Sequence, residues 1–138
     1  MRKIYLDTNV LLDFLLGREG SKESATILQL GKSKAIHLYC SIVSIADIFY
    51  VLRKHIGKAE ALEGVSMLMK CVNILPMGDM TVYSVLQDCG PDFEDSLQMV
   101  CAQTALCDYL ITRNPKDYTQ SSLPILSPAD FLNLCNHN

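Results

Sequence analysis

The stretch Lys3-Ile4-Tyr5-Leu6-Asp7-Thr8-Asn9-Val10-Leu11-Leu12-Asp13-Phe14-Leu15-Leu16 (KIYLDTNVLLDFLL, residues 3–16) decides how the chain is read. KIYL is a short apolar run of strand character, and Asp7-Thr8-Asn9 supplies helix-starting side chains ahead of a second apolar run. Asp7 then stands at the carboxyl end of a first strand. Ligands of open parallel sheets gather at that edge, so its carboxylate has two readings: an N-cap for the following helix, or a functional acid.

The remaining pattern repeats this strand-to-helix alternation. Gly17 and Gly20 break the first helix, a second is expected over residues 21–30, and AIHLYC (35–40) reads as a second strand. SIVSIADIFYVLRKH (41–55) has the length of a helix and is apolar around most of its circumference, as in a largely buried helix; Asp47 is its only acid. A fourth helix is expected over 58–69, a short strand in CVNILPM (71–77), and another helix over 80–87. DFEDSLQMVCAQTALC (92–107) follows as a helix with Asp92 as N-cap, and it leads into the strand YLIT (109–112). NPKDY (114–118) is a turn, LPIL (123–126) a last strand, and SPADFLNLC (127–135) a helix with Ser127 at its cap and Pro128 in its first position. Short strands alternating with helices predict right-handed crossovers and a parallel sheet covered on both faces.

A chain of 138 residues suits one domain, here residues 1–138 as a unit. Arg2 and Lys3 ahead of apolar residues resemble a secretory leader, but Asp7 and Asp13 interrupt the stretch. No apolar run reaches the roughly 20 residues that span a bilayer, so no membrane association and a cytoplasmic location are expected. Six cysteines (40, 71, 89, 101, 107 and 135) without a CxxC pair read as reduced thiols. His37, His55 and His137 lack ligand spacing, which argues against zinc and against a histidine base. Residues 1–70 hold ten Lys/Arg against seven Asp/Glu, whereas residues 71–138 hold two against eight. An acidic half disfavours a protein that merely coats nucleic acid and suits a cation-filled acidic pocket beside a basic rim.

Asp7, Asp95 and Asp117 all fall near the carboxyl edge, and Asp47 joins them if its helix crosses that edge. Two carboxylates ~4 Å apart repel by about 4 kcal/mol at an effective dielectric near 20, so such a cluster must take up protons or a cation. Oxygen-only ligation favours Mg²⁺ or Mn²⁺, and metal-assisted phosphodiester hydrolysis is the natural chemistry. Each acid also has a plainer explanation. Asp92, Glu94 and Asp95 suit the positive end of a helix dipole, Asp47 can pair with a base, and Asp117 can shape the turn after Pro115. Asp13, Asp79, Asp88, Asp108 and Asp130 read as solvent-facing or capping.

Taken in order, YLDTNVLLDFL, SIADIFYVLRK, DFEDSLQMVCA and DYLITRNPKDY resemble the PIN-domain family, many of whose members are VapC-like ribonuclease toxins of toxin-antitoxin pairs. The resemblance implies a three-layer α/β/α sandwich with a central parallel sheet of four or five strands, and acids converging on Mg²⁺ or Mn²⁺ to cleave single-stranded RNA. By motif, Asp7 and Asp95 would be metal ligands and Asp47 and Asp117 further catalytic acids. Asn9 would hold Asp7 by hydrogen bonding, and Thr112 would bring its hydroxyl near the water or phosphate. Asn114 stands where many members have Asp, leaving Asp117 to supply the fourth charge or Asn114 to act as a neutral ligand. Arg53, Lys54 and Lys58 form a basic cluster that either guides RNA or is a solvated helix end. An antitoxin partner and a homodimer are implied by the family. Two other readings stand beside this one: a PIN-like module that has lost catalysis and only binds RNA or protein, and a small-molecule phosphohydrolase, whose usual DxD pattern DTN lacks.

Overall fold

The computed structural model describes residues 2–118 and 121–137. Five short strands form one parallel sheet: β1 (Lys3–Leu6), β2 (His37–Ser41), β3 (Asn73–Leu75), β4 (Tyr109–Ile111) and β5 (Ile125–Leu126). Their spatial order is β3-β2-β1-β4-β5. The register sets Ile4 beside both Leu38 and Tyr109, and Leu6 beside Ile111. The chain thus lays strands outward on one side of β1, then returns to lay β4 on its other side. That reversal makes the β1/β4 carboxyl edge the topological switch point, where crevices form in such sheets.

The helices are α1 (Thr8–Leu15), α2 (Ser21–Lys32), α3 (Ile42–Ile56), α4 (Lys58–Leu68), α5 (Asp79–Gln87), α6 (Phe93–Thr104) and α7 (Pro128–Asn136), with a 3₁₀ turn over Pro115–Tyr118. Alternation along β1 divides the core. Ile4 and Leu6 face a large cluster with Leu11 and Leu12 of α1, Ile27 of α2, Ile48 and Leu52 of α3, Leu68 of α4 and Phe131 of α7. Tyr5 points the other way, into a smaller cluster with Leu110, Tyr118, and Cys101 and Ala102 of α6. Helices therefore cover both faces, giving the three-layer α/β/α arrangement expected from the alternation. Phe131 is fully buried, which is worth roughly 2–3 kcal/mol for docking α7.

Local chemistry explains the helix boundaries. Ser41 accepts from the Ser44 N–H, Asp92 from the Asp95 N–H and Ser127 from the Asp130 N–H, with Pro128 opening α7. Gly57 ends α3 and begins α4 with φ of 88°, which L side chains rarely adopt. No helix among the described residues is long and apolar enough to cross a membrane. All six cysteines are free thiols. Burial pushes the Cys40 thiol up to about 12 and Cys107 up to about 11, so both are inert as nucleophiles near neutrality.

Candidate active site

β1 ends at Leu6, and the Asp7 N–H donates to the Ile111 carbonyl of β4 at 3.0 Å. The carboxyl is thereby held over the switch point. Asp7 occupies the N-cap position of α1, yet its side chain makes no capping bond. Instead Thr112 Oγ1 donates to its Oδ2 at 2.8 Å, and Gln98 Nε2 donates to its Oδ1 at 3.2 Å. Asp7 is only 5% exposed. Both donors are uncharged, so the carboxylate is oriented without being neutralised.

An open cleft of about 410 Å³ extends from Asp7; its walls carry Asn9, Asp47, Tyr50, Asp92, Glu94, Asp95 and Gln98. Among the described residues, five acids line it and no Lys, Arg or His does. The crowding registers in protonation. Glu94 is pushed up to about 8, first by a hydrogen bond with Asp47, then by burial and by the charges of Asp47, Asp92 and Asp95. Asp95 is pushed up to about 6 by burial and by the charges of Asp7, Asp92 and Asp117. Tyr118 Oη stands 3.4 Å from Asp95 Oδ1 and steadies it from below. The neighbouring carboxylates and burial thus favour the protonated form of Glu94 at neutral pH.

The residues singled out in the sequence divide accordingly. Asp7, Asp47 and Asp95 come together in the cleft, with Asn9 on its wall. Among the described residues no hydrogen bond joins Asn9 to Asp7; Thr112 and Gln98 hold it instead. The Thr112 hydroxyl is spent on Asp7 rather than turned to the cleft. Asp117 is exposed in the 3₁₀ turn and reaches Asp95 by charge from a neighbouring hollow. Asn114 lines a separate cleft of about 670 Å³ with Asp13 and Arg113, so the departure from Asp at this position leaves the acid cleft intact. Arg53 and Lys54 end α3, and Lys58 begins α4; all three are exposed and none lines the cleft.

Asp13 corrects the sequence reading: it is 1% exposed rather than solvent-facing. Its Oδ1 lies 3.3 Å from Arg113 Nη1. Burial raises its carboxyl, and Arg113, then Arg18, oppose the rise. Removing one partner of such a pair leaves a desolvated charge, although the half-exposed guanidinium is partly screened. Arg113→Ala is therefore expected to cost about 1–2 kcal/mol at neutral pH. Because Asp13 titrates above its unfolded value, the deficit should grow with pH and shrink as the carboxyl protonates in acid; urea melts at pH 4.5 and 7.5 measure it.

Gln98 was not singled out in the sequence, and Glu94 was read only as an acid suited to the helix dipole. Gln98 sits three residues after Asp95, on the face that returns to the sheet, but a lone glutamine carries no pattern. For Glu94 a signal was present: DFED places three acids in four residues, more than a helix dipole requires.

A family model described as PIN domain matches residues 3–116. No curated protein matches the chain in sequence. VapBC2 from Rickettsia felis, solved bound to a DNA fragment from their promoter, is similar with a TM-score of 0.71 at 16% identity over 89% of this chain and 96% of that one. VapBC-1 from nontypeable Haemophilus influenzae is similar with a TM-score of 0.68 at 16% identity, covering 92% of this chain and 98% of that one. VapC20 of Mycobacterium tuberculosis, a sarcin-ricin loop cleaving toxin, is similar with a TM-score of 0.60 at 11% identity over 78% of this chain and 86% of that one. At these identities the likeness is one of fold.

Proposed function

Because the chain belongs to the PIN-domain family, we propose that it is an Mg²⁺- or Mn²⁺-dependent endoribonuclease that cuts single-stranded RNA in the cytoplasm as the toxin of a toxin-antitoxin pair. One observation carries this reading: five acids from β1's end, α3 and α6 line a cleft where, among the described residues, no base neutralises them. Among the described residues no three acidic, histidine or cysteine side chains stand close enough to grip an ion. The donor set is nevertheless all oxygen, and its mutual repulsion is what a divalent cation relieves. Asp7 and Asp95 would hold it, with Asp47 and Glu94 beside them. When bound, such an ion supplies Lewis acidity toward water and offsets charge on the phosphate.

The chain's own groups do the rest. Thr112 and Gln98 keep Asp7 turned to the cleft, and Tyr118 restrains Asp95. Asp47, on the cleft wall, would take the proton of the attacking water, and Asp117 tunes Asp95 from outside. Tyr50, 66% exposed on the cleft wall, offers a face on which an unpaired base can stack. The exposed Arg53 and Lys54 at the end of α3 and Lys58 at the start of α4 would attract the RNA backbone. The exposed apolar side chains Met80, Tyr83 and Leu86 of α5 suit a protein partner, in keeping with an antitoxin and a homodimer. A toxin-antitoxin complex from Klebsiella pneumoniae has a similar fold, which supports an antitoxin partner here.

Purified protein incubated with defined RNAs and Mg²⁺, Mn²⁺ or EDTA tests the reading, and sequencing the product ends gives the target. Metal-independent cleavage, or none on any RNA with either ion, would sink it.

A pH experiment needs no substrate. Glu94 and Asp95 titrate above their unfolded values, so between about pH 4 and 8 the native state binds more protons than the unfolded chain. Stability in EDTA should therefore fall as pH rises across that window. Saturating Mn²⁺ should flatten the loss, measured as melting temperature by calorimetry at pH 5.5 and 8.5.

A further inference from the structure

Gln98, in the second turn of α6, is 1% exposed. Its Oε1 lies 3.2 Å from Tyr5 Oη, 3.1 Å from Ser44 Oγ and 3.4 Å from Thr8 Oγ1, and the Thr8 and Ser44 hydroxyls are themselves 2.7 Å apart. The opposite end of the amide, Nε2, meets Asp7 Oδ1 at 3.2 Å. A flipped amide would set Oε1 against an ionised carboxylate, acceptor facing acceptor. Only one orientation therefore satisfies the network. With Thr112 on Oδ2, each oxygen of Asp7 accepts one neutral donor, which fixes the rotation of the carboxylate and leaves its charge and outer lone pairs to the cleft. A lysine or arginine at position 98 would hold Asp7 as well but cancel that charge.

Building on the nuclease reading, we propose that Gln98 is a positioning residue that sets the Asp7 carboxylate for a divalent cation, its own amide being locked by the Tyr5 hydroxyl and by the hydrogen-bonded Thr8–Ser44 hydroxyl pair. Groups that orient a metal ligand from behind typically contribute about 10–100-fold in affinity or activity.

The test titrates Mn²⁺ alone into the full chain by calorimetry, for the unsubstituted protein, Gln98→Met and Ser44→Ala, with melting temperatures in EDTA alongside. Methionine keeps the length and loses both hydrogen-bonding ends. Gln98→Met should weaken Mn²⁺ at least about 10-fold and lower kcat while the KM for RNA stays put. Ser44→Ala should weaken Mn²⁺ less, because Tyr5 still donates to Oε1 and only the 3.1 Å Ser44 bond is exchanged for the longer 3.4 Å one from Thr8. A lowered melting temperature with Mn²⁺ affinity intact in Gln98→Met would mean a purely structural role and overturn the proposal. If Gln98→Met does not fold, Ser44→Ala decides, and unchanged affinity there overturns it. Absence of Mn²⁺ binding by the unsubstituted chain would instead overturn the nuclease reading, and this inference with it.

Discussion

Asp7→Asn is expected to lower Mn²⁺-dependent RNA cleavage by more than about 100-fold, beyond the loss typical of groups that only orient a metal ligand, while the fold survives. The substitution keeps the shape of the side chain. Its carbonyl can still accept from Gln98 Nε2, and the Thr112 hydroxyl, now facing an amide, can turn to accept instead. What disappears is the charge. Asp7 is the first of the neighbouring charges that raise Asp95, so its neutralisation should relax the cluster, and melting in EDTA at neutral pH should be no lower than for the unsubstituted chain. Cleavage assays with circular dichroism on the same sample separate the two effects. Full activity in a folded Asp7→Asn protein would remove Asp7, and with it the acid cleft, from the reaction.

Gly31→Ala is expected to destabilise the protein by about 2–3 kcal/mol, against what helix propensity predicts. Gly31 lies in the last turn of α2, where alanine would ordinarily be favoured by up to about 1 kcal/mol. A Cβ at this position would run into the Leu38 side chain and come within 2.8 Å of the Cys71 carbonyl oxygen. Leu38 is 1% exposed in the centre of the larger core cluster and has nowhere to go; the carbonyl belongs to backbone. The close approach of α2 to β2 thus depends on the missing side chain. A melting temperature lowered by roughly 5–10 °C is the expected reading in calorimetry. An unchanged or raised value would mean that α2 can move off the sheet and that the packing described above is wrong.

These two positions differ in how visible they were. Asp7 could be singled out in the sequence because a charged residue interrupts apolar runs, and the change from strand to helix happens at it. The caps at Asp92 and Ser127 were legible for the same reason: a cap bonds within three residues, so spacing alone predicts it. Gly31 shows the limit, since its neighbour Leu38 lies on another element and Cys71 is forty positions away. Asp13 was read as exposed because nothing local announces Arg113, a hundred residues further on. Asn9, two residues from Asp7, was assigned a bond that Gln98 makes from 91 positions distant.

By itself, the sequence determined the alternation of strands and helices, the helix starts, the parallel sheet with both faces covered, and the placing of Asp7 at a strand's carboxyl end. These follow from periodicity and from hydrogen bonds that close within a turn. Tertiary structure decided which acids share a cleft, which of them are pushed toward their protonated form, and which neutral groups aim Asp7. Carboxylate repulsion and burial depend on separations of a few ångströms in a medium of low dielectric, and those separations exist only once β1, α3, α6 and β4 have met.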